Sequence, residues 1–179
     1  MEVCAAVEDE FGYVEVPVVA LADLYAGKIC AALDRQHPRD LFDVKWLLEN
    51  EGLTDEIRKA LLVYLSSHNR PMAELLKPQF KDISAIYAGE FANMAETDVP
   101  LEELEAVRDR LVALIHQGLT ENEKAFLLSF KNREPDWPLL ELSGVSELPA
   151  IKWKQINLAK MPDEKHKPAL EKLKEVLGV

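Results

Sequence analysis

From Leu21 to Leu177 the apolar residues of this chain recur at three- and four-residue intervals, in segments broken by proline, glycine and asparagine. That period matches the turn of an α-helix and leaves little room for a sheet. One helix is expected from Ala20 or Leu21 to about Arg35, with Leu21, Leu24, Tyr25, Ile29 and Ala32 on its apolar face. Pro38 suits a first helical position and opens a second, to about Asn50, with Leu41, Phe42, Val44, Leu47 and Leu48 inward and Glu51-Gly52 as its exit. Thr54 or Asp55 caps a third, up to about Leu65. Pro71 opens a short helix through Leu76, another covers Asp82 to Met94, and a long one runs from Leu101 to His116. Thr120 with Glu123 gives a capping-box pattern ahead of a helix through Phe130. Asn132 to Pro138 is turn-rich. Helical spacing then returns at Trp153, Ile156, Leu158 and Ala159, and a last helix covers about Glu164 to Leu177.

One segment departs from this pattern. Residues Val14 to Val19 alternate and are rich in β-branched side chains, which reads as a short strand, at an edge because Pro17 has no N–H to donate. A single strand is not stable alone, so it needs a partner strand outside this chain or a packed helix. Met1 to Asp9 is weakly helical. The expected fold is mainly α: a compact multi-helix domain over residues 20–179 with a short N-terminal strand, residues 1–19 being the end or remnant of an α/β part.

The 179 residues, 48% hydrophobic and 30% charged, suit a globular domain with a sizeable core. No stretch approaches the apolar length of a membrane span, and the first residues show no basic start followed by an apolar run. Cys4 and Cys30 form no metal-ligand motif, and a reducing cytoplasm is the expected compartment. The net charge of -11 argues against a broad grip on nucleic acid. That charge is uneven: Glu74 to Arg110 holds nine acids against four bases, and Ile151 to Val179 seven lysines against four acids. Both read most simply as solvated helix faces. Lys152, Lys154, Lys160, Lys165 and Lys167 are either ordinary surface lysines or a mild basic strip suited to tRNA.

Charge is most organised between residues 28 and 43. Lys28 and Arg35 lie two turns apart on the first helix, while Arg39, Asp40 and Asp43 share neighbouring surface on the second. The bend at Pro38 can fold the second face back toward Lys28. A lysine is a flexible point charge for a phosphate, an arginine a planar fork for one, and an aspartate can orient them or take a proton. Phosphoryl and nucleotidyl transfer need this combination together with a metal. The alternative is structural: Arg39 and Asp43 as an i,i+4 pair, Arg35 and Asp40 tying the helices together, His37 supporting the turn, and no residue serving as a metal ligand.

The stretch from Leu24 through Leu48 resembles the fourth motif of the abortive-infection nucleotidyltransferase toxin family of the AbiEii type. That motif is a lysine, six residues, an arginine, three residues, Arg-Asp, two residues and Asp. Here it is Lys28, Arg35, Arg39-Asp40 and Asp43 without gap or substitution, followed by Phe42, Trp46 and Leu47 as the family's aromatic and leucine-rich segment. The resemblance implies a polymerase-beta-like nucleotidyltransferase with an α/β part followed by a helical part, a toxin of a bacterial toxin–antitoxin or phage-defence pair. Such an enzyme uses a nucleoside triphosphate (NTP) and Mg2+ and transfers a nucleotide to an acceptor such as tRNA. By that resemblance Lys28 would contact the triphosphate, Asp40 or Asp43 would act near the acceptor or orient Lys28, and Arg35 and Arg39 would steady the phosphates or the fold. Glu123 to Trp137, with Trp153 and Lys154, resembles the tail of one branch of the family. Phe126, Leu127, Leu128, Phe130, Trp137 and Trp153 read either as core or as an antitoxin or RNA contact.

The chain also departs from the family. It has no Gly-Ser pair and no Asp-x-Asp, the motif whose aspartates hold the metal, and Glu2 fits the remaining strand carboxylate only superficially. The expectation is therefore a C-terminal helical part only, a fragment inactive alone, with a missing N-terminal catalytic part and an antitoxin as partners. The competing expectation is a non-catalytic interaction or antitoxin-like helical domain. The two differ in geometry: a phosphate site needs Lys28, Arg35 and an aspartate to converge on an open concavity, whereas an interaction domain has them paired to one another.

Overall fold

A computed structural model describes residues 4–13, 15–96 and 98–179. Among the described residues the helices are α1 (Ala5–Phe11), α2 (Leu21–Arg35), α3 (Pro38–Asn50), α4 (Asp55–Ser67), α5 (Met72–Leu76), α6 (Ser84–Glu90), α7 (Leu101–Gly118), α8 (Glu121–Lys131), α9 (Pro149–Ala159) and α10 (Asp163–Leu177). Two 3₁₀ turns, Trp137–Leu140 and Val145–Glu147, join α8 to α9.

The local signals act as the sequence suggests. Pro38 starts α3, and the His37 ring accepts a hydrogen bond from the Arg39 N–H. Gly52, at φ 73°, ends α3 by donating to Leu47 O at 2.8 Å, a left-handed stop that a β-carbon would strain. The Thr54 hydroxyl caps α4. Thr120 and Glu123 complete a reciprocal capping box on α8. Glu123 also accepts two hydrogen bonds from Arg58 Nε, at 2.9 and 3.1 Å, so a buried ion pair fastens the start of α8 to α4.

The core runs through α2, α3, α4, α5, α7 and α8 and includes Ile29, Leu41, Leu47, Leu61, Leu65, Leu75, Leu104 and Phe126, all fully buried. Helix α2 packs against α4 and α3, α3 against α7, α4 also against α9, and α10 against α5 and α8. Trp137 joins Phe126 and Phe130 in an aromatic cluster with ring centroids 5.7 and 6.0 Å away.

The structure corrects the sequence reading in four places. The mainly α class stands, but no strand is present among the described residues. Val14 lies outside them, and Val16, Val18 and Val19 are exposed beside a proline that cannot donate. Among the described residues only Glu15 takes part in a bridge, an isolated one too short to make a strand. Leu21 and Leu24 face solvent instead of the core; α2 buries Ala26, Ile29, Cys30, Ala32 and Leu33, where small residues permit close approach to α4. Trp153 is 62% exposed and is not core. Helix α6 is shorter than Asp82–Met94, because Asp82 accepts from both the N–H and the hydroxyl of Ser84 and so stays outside it. Residues Met1 and Glu2 lie outside the described residues.

Candidate functional site

The charged motif sits on α2 and α3 across a two-residue connection, Gln36-His37. Gln36 ends α2 in the left-handed conformation, φ 57°, and is buried. Its amide nitrogen donates to Gln79 O at 2.8 Å, and its amide oxygen accepts from the Lys81 N–H at 3.0 Å and from Arg108 Nη1 at 3.2 Å. Three bonds to distant segments hold the turn, so the angle between α2 and α3 is fixed by buried polar contacts.

Across that fixed angle the motif residues pair. Lys28 Nζ donates to Asp43 Oδ2 at 2.6 Å. Arg35 grips Asp40 with both ends of its fork, Nε to Oδ2 at 3.1 Å and Nη2 to Oδ1 at 2.7 Å. Arg39 does not pair with Asp43: its Nη2 donates to Glu90 O at 3.2 Å, and His37 Nε2 lies 3.2 Å from Glu90 Oε2. The C-terminal end of α6 therefore takes the two side chains that the turn itself leaves over. Lys28 and Arg35, seven residues apart on α2, are separated by roughly 10 Å of helix, and each is matched to its own aspartate. The five residues do not converge on one open concavity.

The donors present do not fit a magnesium ion. Among the described residues no group of three or more His, Cys, Asp or Glu side chains is placed to hold a metal ion. The two aspartates of the motif point at different cations, and Asp40, only 12% exposed, uses both oxygens on Arg35. Magnesium demands octahedral oxygen ligands and binds through carboxylates free to face it together with phosphates.

Beside the motif, α3 and the residues Phe91, Met94, Ala95, Glu96 and Val99 border an open cleft of about 820 Å³. Phe42, Trp46, Phe91, Met94 and Val99 form its apolar wall; Arg39, Asp43, Lys45, Glu49 and Glu96 form a charged margin. Trp46 and Met94 are 58% and 63% exposed, large apolar side chains left open to solvent. Sequence reasoning located Trp46 but missed Met94 and the cleft, beside which the Tyr87 hydroxyl donates to Val99 O at 2.9 Å. Lys154 leaves the expected lysine strip: its ammonium donates to the backbone carbonyls of His68 and Asn69.

Cys30, inside α2, is no nucleophile. Burial, with the charge of Asp34 adding, pushes its thiol up to about 12. No helix among the described residues is long and apolar enough to cross a membrane.

A family model described as nucleotidyl transferase AbiEii toxin, type IV TA system, matches residues 1–170. The chain belongs to that family. The match takes in the opening segment as well as the helices, which corrects the expectation of a likeness confined to a C-terminal helical part. No curated protein and no solved structure matches the chain.

Proposed function

We propose that this AbiEii-family chain is a non-catalytic interaction domain that docks a partner protein in the cleft that α3 forms with Phe91, Met94 and Val99. The observation that carries this reading is the mutual pairing of Lys28 with Asp43 and Arg35 with Asp40, which ties α2 to α3. The occupant is a protein segment with an apolar anchor flanked by basic residues. The anchor meets Trp46, Met94 and Phe42; the basic flank meets Glu49 and Glu96 at the cleft margin. In a toxin–antitoxin family the antitoxin is the natural candidate, in the cytoplasm. The interaction domain is residues 20–179; the described residues before Leu21 are all exposed and serve as a flanking segment.

One observation favours a second reading. Lys28 and Asp43 keep 34% and 38% of their side-chain surface open, so a triphosphate could draw Lys28 away from its partner. Lys28 would then contact an NTP, Arg35 and Arg39 would steady it, and Asp40 or Asp43 would face an acceptor such as tRNA.

Isothermal titration with each nucleoside triphosphate, with and without magnesium, separates the two. The interaction reading expects no binding heat. Heat that disappears in Lys28→Ala overturns it in favour of a nucleotide site. In parallel, Trp46→Ala should weaken binding of the antitoxin protein of the same pair by at least tenfold while leaving the melting temperature within about 2 °C, the shift expected for a surface substitution.

A further inference from the structure

Away from the motif, the loop between α4 and α5, the end of α8 and the side of α9 enclose a cavity of about 200 Å³. Two lysines, Lys131 and Lys154, line it together with Asn69 and Asn157, and Met72 and Leu158 form apolar wall. No carboxylate is among its lining residues. Lys131 is only 7% exposed as a residue; among the described residues its side chain shows no ion pair or hydrogen bond, and its ammonium is not among the fully buried unpartnered atoms, so it keeps an opening to solvent through the cavity. Lys154 donates only to the neutral carbonyls of His68 and Asn69, so its charge is also unbalanced. A further cation, Arg133, whose charge acts on Lys131, pairs with Asp163 and donates to Met161 O through its Nη atoms, while its buried Nε has no partner among the described residues.

Two unmatched ammonium groups in one small enclosure is an unfavourable arrangement on its own. The C-terminal dipole of α8 favours a cation at Lys131, but only with about half an elementary charge. Burial lowers the pKa of both lysines, with Arg133 adding at Lys131 and Lys131 adding at Lys154, which is the response of cations lacking a counter-charge.

We propose that this cavity binds a small dianion of the phosphate or phosphate-monoester class, with Lys131 and Lys154 as its paired cations and the Asn157 amide as a further donor. Charge selects the class: two ammonium groups match a phosphate, at nearly two negative charges, better than a single carboxylate. Size limits the substituent. The cavity is smaller than the ~300–1,000 Å³ of ordinary ligand sites, so it admits the phosphate and a few further atoms, not a nucleoside triphosphate. This site is distinct from the α2–α3 motif and does not depend on the reading given for it.

The test is titration calorimetry and phosphorus NMR of the full chain with inorganic phosphate, with glycerol 3-phosphate and with acetate at pH 7, on the native protein and on Lys131→Met, Lys154→Met and the surface control Lys165→Met. Thermal melting confirms that each variant folds. The expected result is phosphate binding in the submillimolar range, weakened at least tenfold in each of the first two variants, unchanged in the control, and at least tenfold stronger than acetate. Tighter binding of glycerol 3-phosphate than of phosphate identifies a monoester as the ligand, and the reverse identifies the free ion. No phosphate binding to the native protein, or binding that survives Lys131→Met, overturns the proposal.

Discussion

If the motif on α2 and α3 is a structural tie, removing its charges must destabilise the fold in proportion to burial. Asp40 is the sharpest case. It is 12% exposed and accepts two hydrogen bonds from Arg35, in the first turn of α3 where the helix dipole favours a negative charge. Charge-assisted bonds contribute ~1.5–3 kcal/mol. Arg35 is 64% exposed, so solvent screening holds that contribution to its lower end, about 1.5 kcal/mol. The dipole adds about 0.5 kcal/mol. Asp40→Asn should therefore cost about 2 kcal/mol, which for a domain of this size lowers the melting temperature by roughly 4–8 °C. Asp43 and Lys28 are each about one-third exposed, and an open pair contributes no more than about 1 kcal/mol, so Asp43→Asn should cost roughly 1–3 °C. Denaturant titration and calorimetry measure both, and a double-mutant cycle of Arg35→Met with Asp40→Asn isolates the coupling, expected near 1 kcal/mol. A functional site gives the opposite sign, because groups held for binding at the expense of packing often stabilise the fold when removed. A melting temperature that is unchanged or raised in Asp40→Asn would refute the structural assignment.

Glu123→Ala should cost about 3–4 kcal/mol, because it leaves the buried Arg58 with only the exposed Asp55 and also opens the capping box; Thr120→Ala, which removes the cap alone, should cost about 1 kcal/mol by urea unfolding. Lys131 has a pKa lowered by burial, so the unfolded chain holds its proton to higher pH than the folded chain. Stability from this group therefore rises as pH climbs from the folded value toward 10.5, and the difference between native protein and Lys131→Met in denaturant titrations should shrink over that window. The exposed Cys4 should react with a thiol reagent in the native state at pH 8, while Cys30, buried with a pKa of about 12, should react only on unfolding; prompt modification of two thiols by mass spectrometry would contradict the packing of α2.

What the sequence revealed about this fold follows the range of the forces involved. Pro38 at the first position of α3, Gly52 after its end and the Thr120–Glu123 box act within four residues, and each marks an observed boundary. The face that α2 presents is a different matter. Leu21 and Leu24 are among the larger apolar residues, yet the side chains that α2, packed on α4 and α3, buries are Ala26, Ile29, Cys30, Ala32 and Leu33, because helix contact rewards close approach as well as bulk. The α9 stripe is right in part: the helix forms and Leu158 is buried, but Trp153 and Ile156 are left exposed and Ile151 is the other buried residue. Glu90 accepting from Arg39 and Gln36 accepting from Arg108 join residues 51 and 72 apart, and no local pattern signals them. The setting of Lys131 is invisible for the same reason, since the cavity it lines is completed by the distant Asn69 and Lys154.

The motif itself looks different once the turn is seen. A transferase reading takes its spacing as the placement of five groups around one phosphate. The structure has a two-residue turn with pairs nested around it, Arg35 with Asp40 at a separation of five and Lys28 with Asp43 at fifteen. The pair nearest the turn joins an arginine fork to the less exposed aspartate, and the pair further out joins a long, flexible lysine to the more exposed one. Those side chains suit their places: a rigid bidentate contact where the helices are tied by Gln36, a longer reach where they are not. The same spacing thus satisfies the requirements of a helical hairpin with two ionic ties, without a ligand. Matching the motif identifies the family of the chain. It does not by itself assign a reaction, because the geometry that would turn those charges toward a substrate is the geometry their mutual pairing has already used.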